Sequence, residues 1–101
     1  VTKRHRPDQF LLTHAVDGFS LAMDFKVTDK KRAELHRMLQ EFDQIVLKGG
    51  GRFYFAKNSE TSAEATRQFL EKAVLLKFKK LKKRCDPNSL LESDLYRRIF
   101  L

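Results

Sequence analysis

The run Arg52-Phe53-Tyr54-Phe55-Ala56-Lys57-Asn58 sets three aromatic residues, suited to burial, shortly before a lysine. An ammonium held in a dry site stabilises negative charge that develops on a bound group. At the end of a strand it can equally carry its head out into water along its own apolar stem. Tyr54 has two readings as well: a ring packed in the core with its hydroxyl at the rim, or a ring against a ligand. Strict alternation puts Tyr54 and Ala56 on one face and Lys57 on the other. Tyr54 and Lys57 therefore reach one ligand only if the chain leaves strand geometry near Ala56. Gly49-Gly50-Gly51 precede this run, and since no helix follows them directly they read as a helix cap and turn, not a phosphate cradle. No other constellation is complete. His5, His14 and His36 are scattered, His36 on a helix surface, and no Cys/His spacing suits a metal. There is no GxGxxG motif opening a helix and no Walker lysine.

These residues need elements to position them. Phe19, Leu21, Met23 and Phe25 alternate with Ser20, Ala22 and Asp24, which predicts a first strand with one strongly apolar face. Thr28 and Asp29 offer cap oxygens. Leu35, Met38, Leu39, Phe42, Ile45 and Val46 then recur at spacings of three and four, so a helix is expected over about residues 30–48, stopped by Gly49. Arg52 to Ala56 reads as a second strand. Thr61-Ser62-Ala63-Glu64 has the form of a capping box led by Thr61. It opens a long helix whose stripe of Phe69, Leu70, Ala73, Val74, Leu76, Phe78 and Leu81 runs until Asp86-Pro87, and a last helix is expected around residues 90–98. The order strand-helix-strand-helix-helix predicts an α+β fold, with a small, mainly antiparallel sheet and helices on one face. Two strands alone make a marginal sheet, so Gln9 to Thr13, or chain outside this sequence, is expected to extend it.

Residues 17 onward carry a resemblance. "DGFSLAMDFKV", a helix, "GGRFYFAKNSETSAE", a helix and "RCDPNSLLESDLYRRIFL" follow one another as in the C-terminal part of FAD-dependent oxidoreductases of the vanillyl-alcohol-oxidase type. Within that type they resemble the decaprenylphosphoryl-ribose oxidase branch. The Arg52-x-Tyr54-x-Ala56-Lys57 segment is the most specific part. The resemblance implies an enzyme whose FAD-binding domain lies elsewhere in the same parent chain, with this sequence as the terminal portion of the substrate domain. It implies that Tyr54 lines the flavin and that Lys57 places positive charge by the flavin or the substrate oxygen, as cofactor-binding and catalytic residue. Ser20, Ala22, Tyr54 and Lys57 would contact the substrate, a small-molecule alcohol or sugar-like CH–OH compound oxidised by hydride transfer. Asn58 stands where the family has an aspartate and Glu60 where the branch has a basic residue, which implies a different or less anionic substrate.

Composition bounds the alternatives. A chain of 101 residues, 42% hydrophobic and 34% charged, is one domain by length and large enough to bury roughly two-thirds of its unfolded surface. It has no apolar run near the ~20 residues of a membrane span. Residues 1–9 are expected as a flexible basic lead and residues 10–101 as the substrate-domain portion. The opening Val1-Thr2-Lys3-Arg4-His5-Arg6 has no apolar signal core and reads as cut from something longer. Cys85 has no partner for an internal disulfide, which suits a cytoplasmic setting. The net charge of +8 sits in Lys3, Arg4 and Arg6 and in the run Lys72 to Arg84, while the remainder is close to neutral. Phe78 and Leu81 interleave with the basic residues of that run, so a nucleic-acid or anionic-membrane module is the competing reading. A solvated helix end, favoured because cations complement the C-terminal dipole, is the plainer one, and nucleic acid is not the expected partner. On either view the isolated chain is expected to be inactive as an enzyme.

Overall fold

A computed structural model describes residues 1–101 and shows an α+β fold with a two-stranded antiparallel sheet and four α-helices. Strand β1 (Thr2–His5) pairs with β2 (Gly18–Leu21), with Thr2 opposite Leu21 and His5 opposite Gly18. Val1 and Ala22 extend the pairing by exchanging backbone bonds of 2.8 and 3.0 Å. The strand expected over 19–25 is therefore shorter, because the ladder stops where its partner strand runs out. The partner is Thr2–His5, within the lead, while residues 9–13 form a turn rather than a third strand. Alternation holds on the ribbon. Phe19 and Leu21 share one face with Arg4, whose guanidinium lies 5.4 Å from the Phe19 ring and also pairs with Asp17. Ser20 lies on the other face with His5, whose Nε2 is 2.7 Å from Ser20 Oγ.

A 3-10 turn at Asp29–Lys31 leads into α1 (Arg32–Lys48), within a residue or two of the expected helix. Its stop is built by three glycines with different tasks. Gly49 N–H donates to Ile45 O at 3.1 Å, Gly50 takes the left-handed φ of 70°, and Gly51 lies so close to Val46 that a Cβ would meet its Cγ1 at 2.6 Å.

Arg52 to Ala56 is not a strand. It runs as extended chain to Tyr54 and then turns through a 3-10 segment, Phe55–Lys57. No neighbouring strand offers a ladder, and its aromatic residues find burial against helices instead. Phe53 and Phe55 pack on Phe69 with ring centroids 5.6 and 5.8 Å apart, and Phe55 also meets Phe100 at 6.2 Å.

The long helix expected after Thr61 is two helices, α2 (Ala63–Phe69) and α3 (Lys72–Cys85), parted by extended backbone at Leu70 and Glu71. Neither glycine nor proline marks the break. It turns Leu70, only 4% exposed, into the core formed with Ala65, Thr66, Ile99 and Phe100. The cap is one residue later than expected: Ser62, not Thr61, accepts from Ala65 N–H at 3.0 Å. The last helix, α4 (Asp94–Phe100), begins after Ser93, which caps Tyr96 N–H at 3.1 Å. The core thus lies between α2 and α4, with α1 against α2. Only 7 of the 101 residues are buried, so much of the apolar surface remains open to solvent.

Candidate functional site

The Tyr54–Lys57 turn opens on a cleft of about 930 Å³. Phe55, Phe78 and Phe100 are among its lining residues, with Phe78 and Phe100 ring centroids 4.5 Å apart. His14, Tyr54, Ala56, Leu91, Leu95 and Tyr96 also line it. Polar groups are confined to a few positions, among them Asp8, Lys82 and Glu92. A concave apolar surface with sparse polar groups is the common form of a small-molecule site.

The strict alternation of a strand ends at this turn. Lys57 N–H donates to Tyr54 O at 3.1 Å, closing a 3-10 turn. Tyr54, the residue before the turn, keeps extended backbone (φ −89°, ψ 103°), so the chain leaves strand geometry between Tyr54 and Lys57. Tyr54 is 49% exposed and lines the cleft. Lys57 is exposed, lies outside the lining, and enters none of the chain's ion pairs.

Behind Lys57 the loop is fixed by Asn58. Its Oδ1 accepts from Glu60 N–H at 2.9 Å and Thr61 N–H at 2.7 Å. Arg98 of α4 then clamps the loop, donating to Asn58 O at 2.9 Å and to Thr61 O at 3.1 Å. An asparagine carbonyl serves this turn as a carboxylate would, because both offer the acceptor it needs. Glu60 faces α1, with Oε2 3.3 Å from His36 Nδ1. Burial foremost, and then Glu60, raises the Asp43 carboxyl above its ordinary value.

Ser20 and Ala22 do not line the cleft, and Ala22 is exposed. Ser20 is nevertheless connected to it. From the His5–Ser20 contact the path continues by the His5 and His14 rings, 5.1 Å apart and edge to face, to the tilted pair of His14 and Tyr54 at 4.5 Å. His14 is half-buried. Its pKa is lowered chiefly by burial and further by His5, with Asp8 acting the other way.

Two features of the site lay outside the sequence reading. His5 and His14 are nine residues apart and share no motif, so only the return of the chain through β1 and β2 brings them together. Lys82 belongs to a basic run in which Lys77, Lys79, Lys80, Lys83 and Arg84 are exposed, yet its own side chain is only 17% exposed. It pairs with Asp86 and lies 5.1 Å from the Tyr96 ring centroid. Its place in the stripe, one turn after Phe78, was the available signal.

No family model matches the chain. Among curated proteins it is similar to decaprenylphosphoryl-beta-D-ribose oxidase of Mycolicibacterium smegmatis (strain ATCC 700084 / mc(2)155), 31% identical over 94 residues. The aligned region covers 93% of this chain and 19% of that protein, so the chain spans about a fifth of the length of this relative. The relative is an oxidase. No helix of the chain is long and apolar enough to cross a membrane.

Proposed function

We propose that the chain is the substrate-domain portion of a longer FAD-dependent oxidoreductase, and that the Tyr54–Lys57 turn and the cleft beside it form one wall of the flavin and substrate site. The observation that carries this reading is the turn itself. It puts Tyr54 and Ala56 in the lining of an apolar cleft, with Lys57 exposed next to them in sequence, in the segment that most specifically resembles the oxidase family. Similarity to an oxidase over nearly the whole chain supports it.

The residues fit one part of FAD. Tyr54, His14 and Tyr96 offer aromatic surface of the kind that receives a flat ring system. The pyrophosphate finds no counterpart, since Gly49 to Gly51 close the end of α1 and open no helix. The phosphates are therefore assigned to the FAD-binding domain of the same parent chain. Bound FAD would supply the acceptor for the hydride that leaves the alcohol carbon.

In this reading Tyr54 lines the isoalloxazine and Lys57 brings a positive charge to the flavin or substrate oxygen. That charge stabilises the negative charge of hydride transfer by several kcal/mol at most, roughly 2–4. The substrate is a sugar-like CH–OH compound, of which Ser20 and Ala22, outside the cleft lining, would meet only a part that extends beyond the cleft, and the setting is the cytoplasm. The basic residues at the end of α3 stand where the helix dipole favours cations, which accounts for them without a nucleic-acid or membrane partner.

The parent polypeptide is expected to purify with flavin absorbance. The 101-residue chain alone, titrated with FAD, is expected to leave flavin fluorescence unquenched. A parent without flavin, or tight stoichiometric quenching by the isolated chain, would overturn this division of the site.

A further inference from the structure

We propose that His14 is the base that accepts the hydroxyl proton of the alcohol as its carbon is oxidised beside the Tyr54 turn; this rests on the function proposed above. Oxidising CH–OH to C=O removes a hydride from carbon and a proton from oxygen, so the site needs a proton acceptor as well as a flavin. Lys57 lies outside the cleft lining, and Tyr54 is already assigned to the isoalloxazine.

The lining of the cleft offers few other candidates. Asp8 already accepts Phe10 N–H at 3.0 Å, and Glu92 is 3.4 Å from Arg97. Of the other histidines, His5 is engaged with Ser20 Oγ at 2.7 Å, and His36 sits on α1 against Glu60. His14 alone combines a place in the lining, a ring fixed between His5 and Tyr54, and ring nitrogens free of hydrogen bonds within the chain. The groups that face it are His5 from β1, Asp8 from the loop after β1 and Tyr54 from the turn. Lys82 of α3, Glu92 before α4 and Tyr96 of α4 share the cleft. Burial and His5 together outweigh Asp8 and favour the neutral ring, the form that accepts a proton.

The step balances. The substrate O–H bond breaks and its proton passes to an imidazole nitrogen of His14. The C–H bond breaks, the hydrogen leaves with its electron pair to the flavin, and the carbonyl forms. The imidazolium then gives its proton to water through the open cleft.

The test uses the flavin-loaded parent protein with D-ribose and D-arabinose as probes. In anaerobic reduction the rate constant should rise with pH through a midpoint below that of an ordinary histidine. His14→Gln should lose that limb and slow reduction about 10²-fold with flavin content unchanged. A second measurement needs neither turnover nor a variant. In the oxidised wild-type protein labelled with 15N-histidine, the His14 signal should titrate below the ordinary value and move when either sugar is added. A His14 signal unmoved by both sugars, or a His14→Gln variant that keeps the parental rate and pH profile, overturns the proposal. If Lys57→Ala still slows reduction in that case, the site reading stands and only the base is wrong. A parent that holds no flavin overturns both.

Discussion

At Asp86 one carboxylate ties the end of α3 to the segment that leads into α4. Its Oδ1 accepts from Leu90 N–H at 2.9 Å and its Oδ2 from Leu91 N–H at 3.0 Å, while Lys82 donates to Oδ2. These contacts, Lys82 first, then the Leu91 and Leu90 N–H groups, push its pKa down to about 2. The folded value lies below the unfolded one, so the stabilisation is complete above about pH 4 and is lost as pH falls towards about 2. Thermal unfolding followed across that range should show this loss in the wild type and a flatter acid limb in Asp86→Asn, which keeps an acceptor but no charge. Equal acid slopes would show that the carboxylate does not hold the loop. Asp86-Pro87 was legible as a helix stop. The reach of the carboxylate to residues four and five positions on was not, because it depends on the loop that Ser89 turns with its φ of 51°.

Among the elements, register was harder to read than existence. The helix at residues 32–48 follows from its stripe and its glycine stop, and the polar order Thr61-Ser62 announced a helix start. Which hydroxyl caps it was decided by packing: Thr61 is fully buried with its Oγ1 unpaired, while Ser62 takes Ala65 N–H. Ser62→Ala should therefore cost about 1 kcal/mol in chemical denaturation. Thr61→Val, which replaces an unpaired buried hydroxyl with a methyl group, should be neutral or slightly stabilising. The reverse order would restore Thr61 as the cap. The second strand failed for a different reason. The aromatic run at residues 53–55 carries the apolar character of a strand, but no neighbouring chain supplies a ladder and Phe69 and Phe100 receive its rings. The failure bears on the candidate site, because the 3-10 turn ends the strict alternation expected between Tyr54 and Lys57. The break at Leu70 carries no local signal at all; it reflects the side chain's place between α2 and α4.

For the molecule as a whole, the α+β class followed from the periodicity of the apolar residues, whereas the pairing of the sheet did not, because the partner strand Thr2–His5 is polar and the strand expected at residues 52–56 is absent. The thinness of the core did not follow either, since composition alone supports fuller burial. Phe19, Leu21, Met23 and Val27 are 73, 62, 49 and 52% exposed, surface that suits a portion of a larger protein. The net charge likewise resolves into local features. Duplex DNA and anionic vesicles should bind only weakly at physiological salt, and Lys79→Glu with Lys83→Glu should leave the circular dichroism unchanged. Submicromolar binding abolished by that pair would make the basic helix the functional surface instead. The central claim, that the Tyr54–Lys57 turn meets the flavin, concerns the assembled parent and is tested there. Lys57→Ala removes a charge whose interaction grows as electrons move onto the flavin, so flavin reduction by substrate should suffer far more than flavin content. Stability should change by no more than about 1 kcal/mol, because the side chain is exposed. Lys57→Arg should restore the rate in part, since a planar guanidinium directs its charge differently from a compact ammonium. The decisive measurement is anaerobic stopped-flow reduction of Lys57→Ala beside the parental protein. The account predicts a rate constant lower by about 10²-fold with full FAD occupancy; full occupancy with the parental rate would contradict it.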